Sequence, residues 1–159
     1  MNNNDILRRL RYALDISNPI MIEIFQLSGC TLELPTLLKL LKKEEEDEFI
    51  SCSNPMMSFF LDGLIVHKRG RRESDAGQPP KPDAALNNNS ILKKLRIALD
   101  LKEEDMLAIM GLAGVKISKA ELSALFRNKE HKHYKECGDQ FLRNFLQGLT
   151  IRNRKVASE

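Results

Sequence analysis

The chain has 159 residues, 42% of them hydrophobic and 30% charged, with a net charge of +3 and no tryptophan. That length holds one ordinary domain or two small ones, and the apolar share suffices for a packed core. No apolar run approaches the roughly 18 residues that cross a bilayer, and the asparagine-rich start has no apolar h-region behind it, so a soluble, cytoplasmic protein without a membrane is expected.

The first predicted element is NNNDILRRLRYALD, Asn2 to Asp15. Ile6, Leu7, Leu10, Ala13 and Leu14 recur at three- and four-residue steps and form one buried helical face, with Arg8, Arg9, Arg11 and Tyr12 on or near the other. An asparagine at the start caps the unpaired N–H groups of the first turn. A second helix is expected with Asn18 as cap and Pro19 at its first position, Met21, Ile24, Phe25 and Leu27 inward, and a stop at Gly29. Pro35 suits the opening of a third helix. A fourth begins near Asn54 and Pro55 and buries Met56, Phe60, Leu61 and Leu64. Gly63 lies inside it, where close helix packing accounts for a glycine that costs about 1 kcal/mol against alanine.

At Asn87 the chain begins again with NNNSILKKLRIALD. A shift of 85 positions aligns residues 2–70 with 87–155 without a gap and with about a third of the pairs identical, which marks a duplication. The matches include Leu10 with Leu95, Arg11 with Arg96, Gly29 with Gly114, Cys52 with Cys137 and Gly63 with Gly148. In the second copy Ser118-Lys-Ala-Glu121 reads as a capping box opening the third helix, and the fourth begins near Asp139. The boundaries that follow are a first repeat over 1–70, a Gly/Pro-rich linker over 71–86, a second repeat over 87–155 and a tail over 156–159. The expected fold is all-α: two homologous four-helix units in tandem, pseudo-twofold related or held side by side by the linker, with helix-turn-helix-like hairpins.

The unit NNNDILRRLRYALD, the helix from Met21 to Gly29 and FLDGLIVHKRG together resemble the YehS-like family of uncharacterised bacterial proteins over nearly the whole chain. The resemblance implies two copies of an all-helical domain of unknown function and supplies no substrate, cofactor or catalytic residue. Function therefore rests on the residues. In MLAIMGLAGVKISKAELSALFRN a supporting helix, a turn and a presented helix over Ser118 to Asn128 follow the outline of a helix-turn-helix, with Lys119, Ser123, Arg127 and Asn128 on the outer face. Arg127 and Asn128 are types that read guanine and adenine edges, although the Gly114–Ser118 turn is longer than the usual motif.

Charge divides the copies. Residues 2–70 hold 8 Lys/Arg against 10 Asp/Glu, a net of −2; residues 87–155 hold 14 against 8, a net of +6. Basic residues occupy the same places in both copies at Arg8/Lys93, Arg9/Lys94, Arg11/Arg96 and Arg69/Arg154, and these are the first choice for a phosphate-contacting surface. The first copy's EEEDE run, Glu44 to Glu48, repels phosphate instead. The expected function is a non-enzymatic binding protein, a nucleic-acid (DNA) binding module that uses the basic second repeat. The alternative is a protein-interaction adaptor that uses exposed Leu34, Leu38 and Phe59, which align with Lys119, Ser123 and Asn144. His131, His133 and Cys137 in HKHYKEC form a weak zinc candidate without a fourth ligand, and Cys30, Cys52 and Cys137 are an odd set suited to reduced thiols. No cofactor is expected, and the sequence has no glycine-rich phosphate loop, GxSxG or HExxH.

Overall fold

The structure, a computed structural model, describes residues 1–70 and 85–157, and among these all regular structure is helical. The first unit comprises α1 (Asn3–Ala13), α2 (Asn18–Leu27), α3 (Leu34–Leu40) and α4 (Asn54–Arg69). The second comprises α5 (Asn88–Ala98), α6 (Glu103–Leu112), α7 (Lys119–Leu125) and α8 (Asp139–Ala157). Every boundary recurs 85 positions later except the last, where α8 runs three residues beyond the counterpart of Arg69 and two residues into the expected tail. The described residues divide into two compact units that part between Leu86 and Asn87. Of the expected linker only Ala85 and Leu86 lie within the described residues.

Local chemistry sets the bounds. Ser17, not Asn18, caps α2 by accepting the Ile20 N–H, which leaves Asn18 as the first helical residue and Pro19 as the second. The Asn18 side chain instead accepts a hydrogen bond from Arg11 Nη2 at 2.8 Å. α1 and α5 end on Asp15 and Asp100, both left-handed at φ 51° and 52°, a conformation aspartate tolerates better than most residues. The Ile16 and Leu101 N–H groups then reach back 3.0 Å to the Arg11 and Arg96 carbonyls. Gly29 and Gly114, at φ 100° and 79°, close α2 and α6 in the same way, with Cys30 and Val115 bonded back to Phe25 and Met110 at 3.0 Å. Ser118 caps α7 by accepting from the Glu121 N–H at 3.1 Å, and its hydroxyl donates to the Glu121 carboxylate at 3.2 Å, so half of the expected box is present.

In each unit the central packing is α2 on α4, or α6 on α8, with the other two helices laid against that pair. Gly63 and Gly148 make it possible. A Cβ built on Gly63 would stand 1.8 Å from the Ile24 carbonyl oxygen, and one on Gly148 would stand 2.0 Å from that of Ile109. No side chain larger than hydrogen fits between backbones that close. The cores fill around these contacts with Leu7, Leu10, Phe25, Phe60 and Leu64 in the first unit and Leu92, Leu95, Met110, Phe145 and Leu149 in the second. Met57 rather than Met56 is the buried methionine of the first turn of α4.

Candidate nucleic-acid interface

The loop between the third and fourth helices is where the two units differ most, and three asparagines hold it in place. Asn2 and Asn87 are caps: their side chains accept the Asp5 and Ser90 N–H groups at 2.8 Å. Asn3 Nδ2 donates to the Cys52 carbonyl at 3.0 Å and to Asn54 Oδ1 at 2.9 Å; Asn88 does the same to the Cys137 carbonyl at 3.1 Å and Asp139 Oδ1 at 2.8 Å. Asn4 is buried. Its amide donates to the carbonyls of Leu40 and Ile50 at 2.8 Å each and accepts the Cys52 N–H at 2.8 Å. Asn89 repeats this with Leu125, Lys135 and Cys137 at 2.9, 2.9 and 2.8 Å. One carboxamide thus satisfies the end of the third helix, the far side of the loop and the approach to the fourth helix, none of which is paired in a helix. Sequence reasoning finds only the cap; the signal for the rest is that a helix needs one capping asparagine and each unit carries three.

On this frame the arginines proposed for phosphate contact serve the fold. Arg8 donates through Nη1 to the Lys42 carbonyl at 2.7 Å and pairs with Asp5. Arg11 binds Asn18, and Arg96 donates through Nε to the Leu101 carbonyl at 3.0 Å while its guanidinium lies 4.7 Å from the centre of the Phe126 ring. Each ties the first helix of its unit to a neighbouring turn. Lys93 and Arg9 are exposed on α5 and α1, Lys94 is half-buried, and Arg154 is exposed near the end of α8.

The presented helix is shorter than expected. α7 ends at Leu125 with Phe126 as its C-cap, so Arg127 and Asn128 lie in the following loop and not on a helical face. Arg127 Nη1 donates to the His133 carbonyl at 3.2 Å, and Asn128 Oδ1 accepts the Glu130 N–H at 3.2 Å in a side-chain-closed turn. Lys42, which aligns with Arg127, likewise donates to the Asp47 carbonyl at 2.7 Å. The position braces the loop in both units.

What the fold leaves outward is a contrast in charge. In the first unit the loop tip is Glu44 to Glu48, five exposed carboxylates. In the second the same positions are Lys129, Glu130, His131, Lys132 and His133, all exposed. Exposed Lys119 opens α7, and exposed Lys135, in the loop after it, is tied by its backbone to the Ala124 carbonyl at 3.0 Å; the first unit has Leu34 and Ile50 at these places. Leu34 and Leu38 are exposed as expected, each at 46%, but Phe59 is half-buried and its carbonyl accepts the Ser28 hydroxyl at 2.6 Å. Leu112, at 41%, and Ile50, at 38%, are exposed apolar residues that sequence reasoning misses, and of the two Ile50 belongs to this loop. An exposed position shows no burial period, so only the alignment with Lys135 points to it.

Metal and thiol chemistry fare differently. His131 and His133 face each other across 5.6 Å of ring separation at the exposed loop, while Cys137 is buried at its base, and the three are not gathered into a metal-holding group. All three cysteines are free thiols. Burial pushes Cys52 up to about 12, with Cys30 adding to the shift, and pushes Cys137 up to about 11, with Asp139 adding and Lys135 opposing. Burial thus holds Cys52 and Cys137 in the protonated form at neutral pH, away from the thiolate that a nucleophile uses.

A twice-repeated four-helix unit with matching boundaries and divergent surfaces defines the class of protein. The model of the family described as "Protein of unknown function (DUF1456)" matches residues 3–70 and again 88–155, and the chain belongs to that family. It is 43% identical over 152 residues, 96% of each chain, to "Uncharacterized protein YehS" of Escherichia coli (strain K12). No solved structure matches. No helix among the described residues is long and apolar enough to cross a membrane.

Proposed function

We propose that the chain is a non-enzymatic, cytoplasmic binding protein whose second unit meets nucleic acid through the phosphate backbone, along α7 and the α7–α8 loop. One observation carries the reading: on the same backbone frame, exposed Lys119, Lys129, Lys132 and Lys135 stand where the first unit has Leu34, Glu44, Asp47 and Ile50. A fold that does not need these lysines presents four of them along one helix and the loop that follows it. Phosphate neutralisation is the chemistry that rewards such clustering. Arg127 and Asn128 are occupied by their own loop, so the reading favours attraction to the backbone over base recognition. Protonated, buried thiols support a binder over a thiol enzyme.

The test is a salt titration of binding to mixed-sequence duplex DNA. Four phosphate contacts give a log–log slope of roughly −3.6, at about −0.9 each. Affinity is expected to vary little with sequence, and Arg127→Ala is expected to weaken all sequences alike. Absence of binding to both duplex and single-stranded pools by micromolar protein at low salt rejects the proposal.

A further inference from the structure

The corresponding face of the first unit has no use for phosphate, because five carboxylates border it. Among the described residues, five large apolar side chains are exposed, and three of them, Leu34, Leu38 and Ile50, belong to α3 and its following loop. Leu34 and Leu38 are one turn apart on one face of α3. The Ile50 N–H is bonded to the Lys39 carbonyl at 3.3 Å, and the Ile50 carbonyl shares the Asn4 amide with that of Leu40, which fixes the residue beside the last turn of the same helix.

The second unit is an internal control. Its residues at these three places are Lys119, Ser123 and Lys135, and its backbone makes the same ties, from Lys135 to the Ala124 carbonyl and from Asn89 to the Leu125 and Lys135 carbonyls. The fold therefore does not require apolar side chains there, and leaving them in water gains the unit nothing. Exposed acidic residues adjoin the strip along the chain: Glu33 precedes α3, and Glu44 to Glu48 lie in the loop that leads to Ile50.

We propose that α3 and the α3–α4 loop of the first unit dock a basic amphipathic helix of a partner protein. Its apolar stripe packs on Leu34, Leu38 and Ile50 while its lysines or arginines face Glu33 and the Glu44–Glu48 run. Apolar anchors at helical spacing supply the attraction, and the acidic border selects the charge of the partner and excludes polyanions. This surface is separate from the nucleic-acid reading of the second unit and stands whether or not that reading does.

The probe is a synthetic 14-residue peptide of leucine and lysine with apolar positions at i, i+3, i+4 and i+7, labelled for fluorescence anisotropy and titrated with the full chain at physiological salt. Its companion replaces every lysine with glutamate. The test variant combines Leu34→Lys, Leu38→Ser and Ile50→Lys, the residues the second unit carries at these places, and circular dichroism melting checks its folding. A second variant, Glu44→Lys with Glu46→Lys and Glu48→Lys, leaves the apolar strip untouched. The lysine peptide is expected to bind the unaltered chain at least about tenfold more tightly than either variant, and the glutamate peptide at least about tenfold more weakly than the lysine peptide. Three results would overturn the proposal: no saturable binding of the lysine peptide, equal binding by the folded variants, or equal binding of the two peptides. So would sedimentation that shows the unaltered chain self-associating and the leucine–isoleucine variant monomeric, because the occupant would then be a second copy. Duplex DNA binding measured on the same leucine–isoleucine variant separates this surface from that of the second unit: its loss there would break the division of labour between units, and its retention supports it.

Discussion

The two units share every helix start, both left-handed aspartates, the buried asparagine clamp and the glycine contact, yet around the loop between their third and fourth helices one presents carboxylates and apolar side chains and the other presents lysines. The difference shows which part of the unit is tied to the fold. Helix ends and loop carbonyls must be satisfied from within, so the residues that satisfy them recur. The loop tip is exposed in both units, and its charge differs in sign between them. The two proposed surfaces, taken together, would let one chain meet an anionic and a cationic partner.

The shared frame is the firmest part of the comparison and gives the largest effects. Gly63→Ala and Gly148→Ala each place a methyl group against a backbone carbonyl that no rotamer change can move, and each is expected to cost about 3 kcal/mol or more in its own unit. Denaturant unfolding of the full chain measures it, and a loss confined to one of the two variants would break the equivalence of the helix pairs. Next come the clamps. Asn4→Ala leaves two carbonyls and one N–H of the first unit without their partner, and Asn89→Ala does so in the second; each is expected to cost about 2 to 4 kcal/mol, since a buried group left unpaired costs about 1 to 3. Asn2→Ala and Asn87→Ala, which remove only caps, are expected to cost about 1 kcal/mol in the same measurement. A cap loss equal to the clamp loss would contradict the division of roles among the three asparagines.

Alkaline pH sharpens the comparison through the thiols. A thiol whose folded value lies above its ordinary value near 9 contributes stability that is complete below pH 9 and is lost as pH rises toward the folded value. The loss runs from about 9 to about 12 for Cys52 and from about 9 to about 11 for Cys137. Each thiol is expected to remove no more than about 1.4 kcal/mol per pH unit within its window. Comparing unfolding curves of the parent with Cys52→Ala and Cys137→Ala isolates these slopes, and an unchanged slope in either variant would contradict burial of that thiol.

Much of the frame is legible in the sequence because its signals are local. Apolar residues at helical steps, prolines at helix starts and glycines at helix ends place the helices, with an error of one residue where Ser17 outcompetes Asn18 as a cap and of three where α7 stops at Leu125 short of Asn128. Gly63 and Gly148 are legible too, since a glycine inside a helix that buries its neighbours marks a place where another backbone comes close. The site is far less legible. Asn4 meets carbonyls 36 and 46 residues away, and nothing in a sequence announces which asparagine will be the buried one. Arg8, Arg11, Arg96 and Arg127 look like phosphate ligands because charge is visible in a sequence while the carbonyl that accepts from a guanidinium is not. Phe59 reads as exposed because its second-unit counterpart is Asn144, yet burial of a side chain depends on packing that alignment does not record.

The most direct test of two alike units with opposed surfaces is to replace residues 129–135, KEHKHYK, by the EEEDEFI of residues 44–50 in the full chain and to measure duplex DNA affinity against salt. Because the first unit already carries that loop between matching helix ends and with matching Asn4 and Asn89 clamps, the variant is expected to fold and melt like the parent. Its affinity is expected to drop at least about a hundredfold at low salt, and the log–log slope to fall from roughly −3.6 in the parent for four contacts to roughly −0.9 for the one left at Lys119. Retention of the parental affinity and slope by the folded variant would contradict the account.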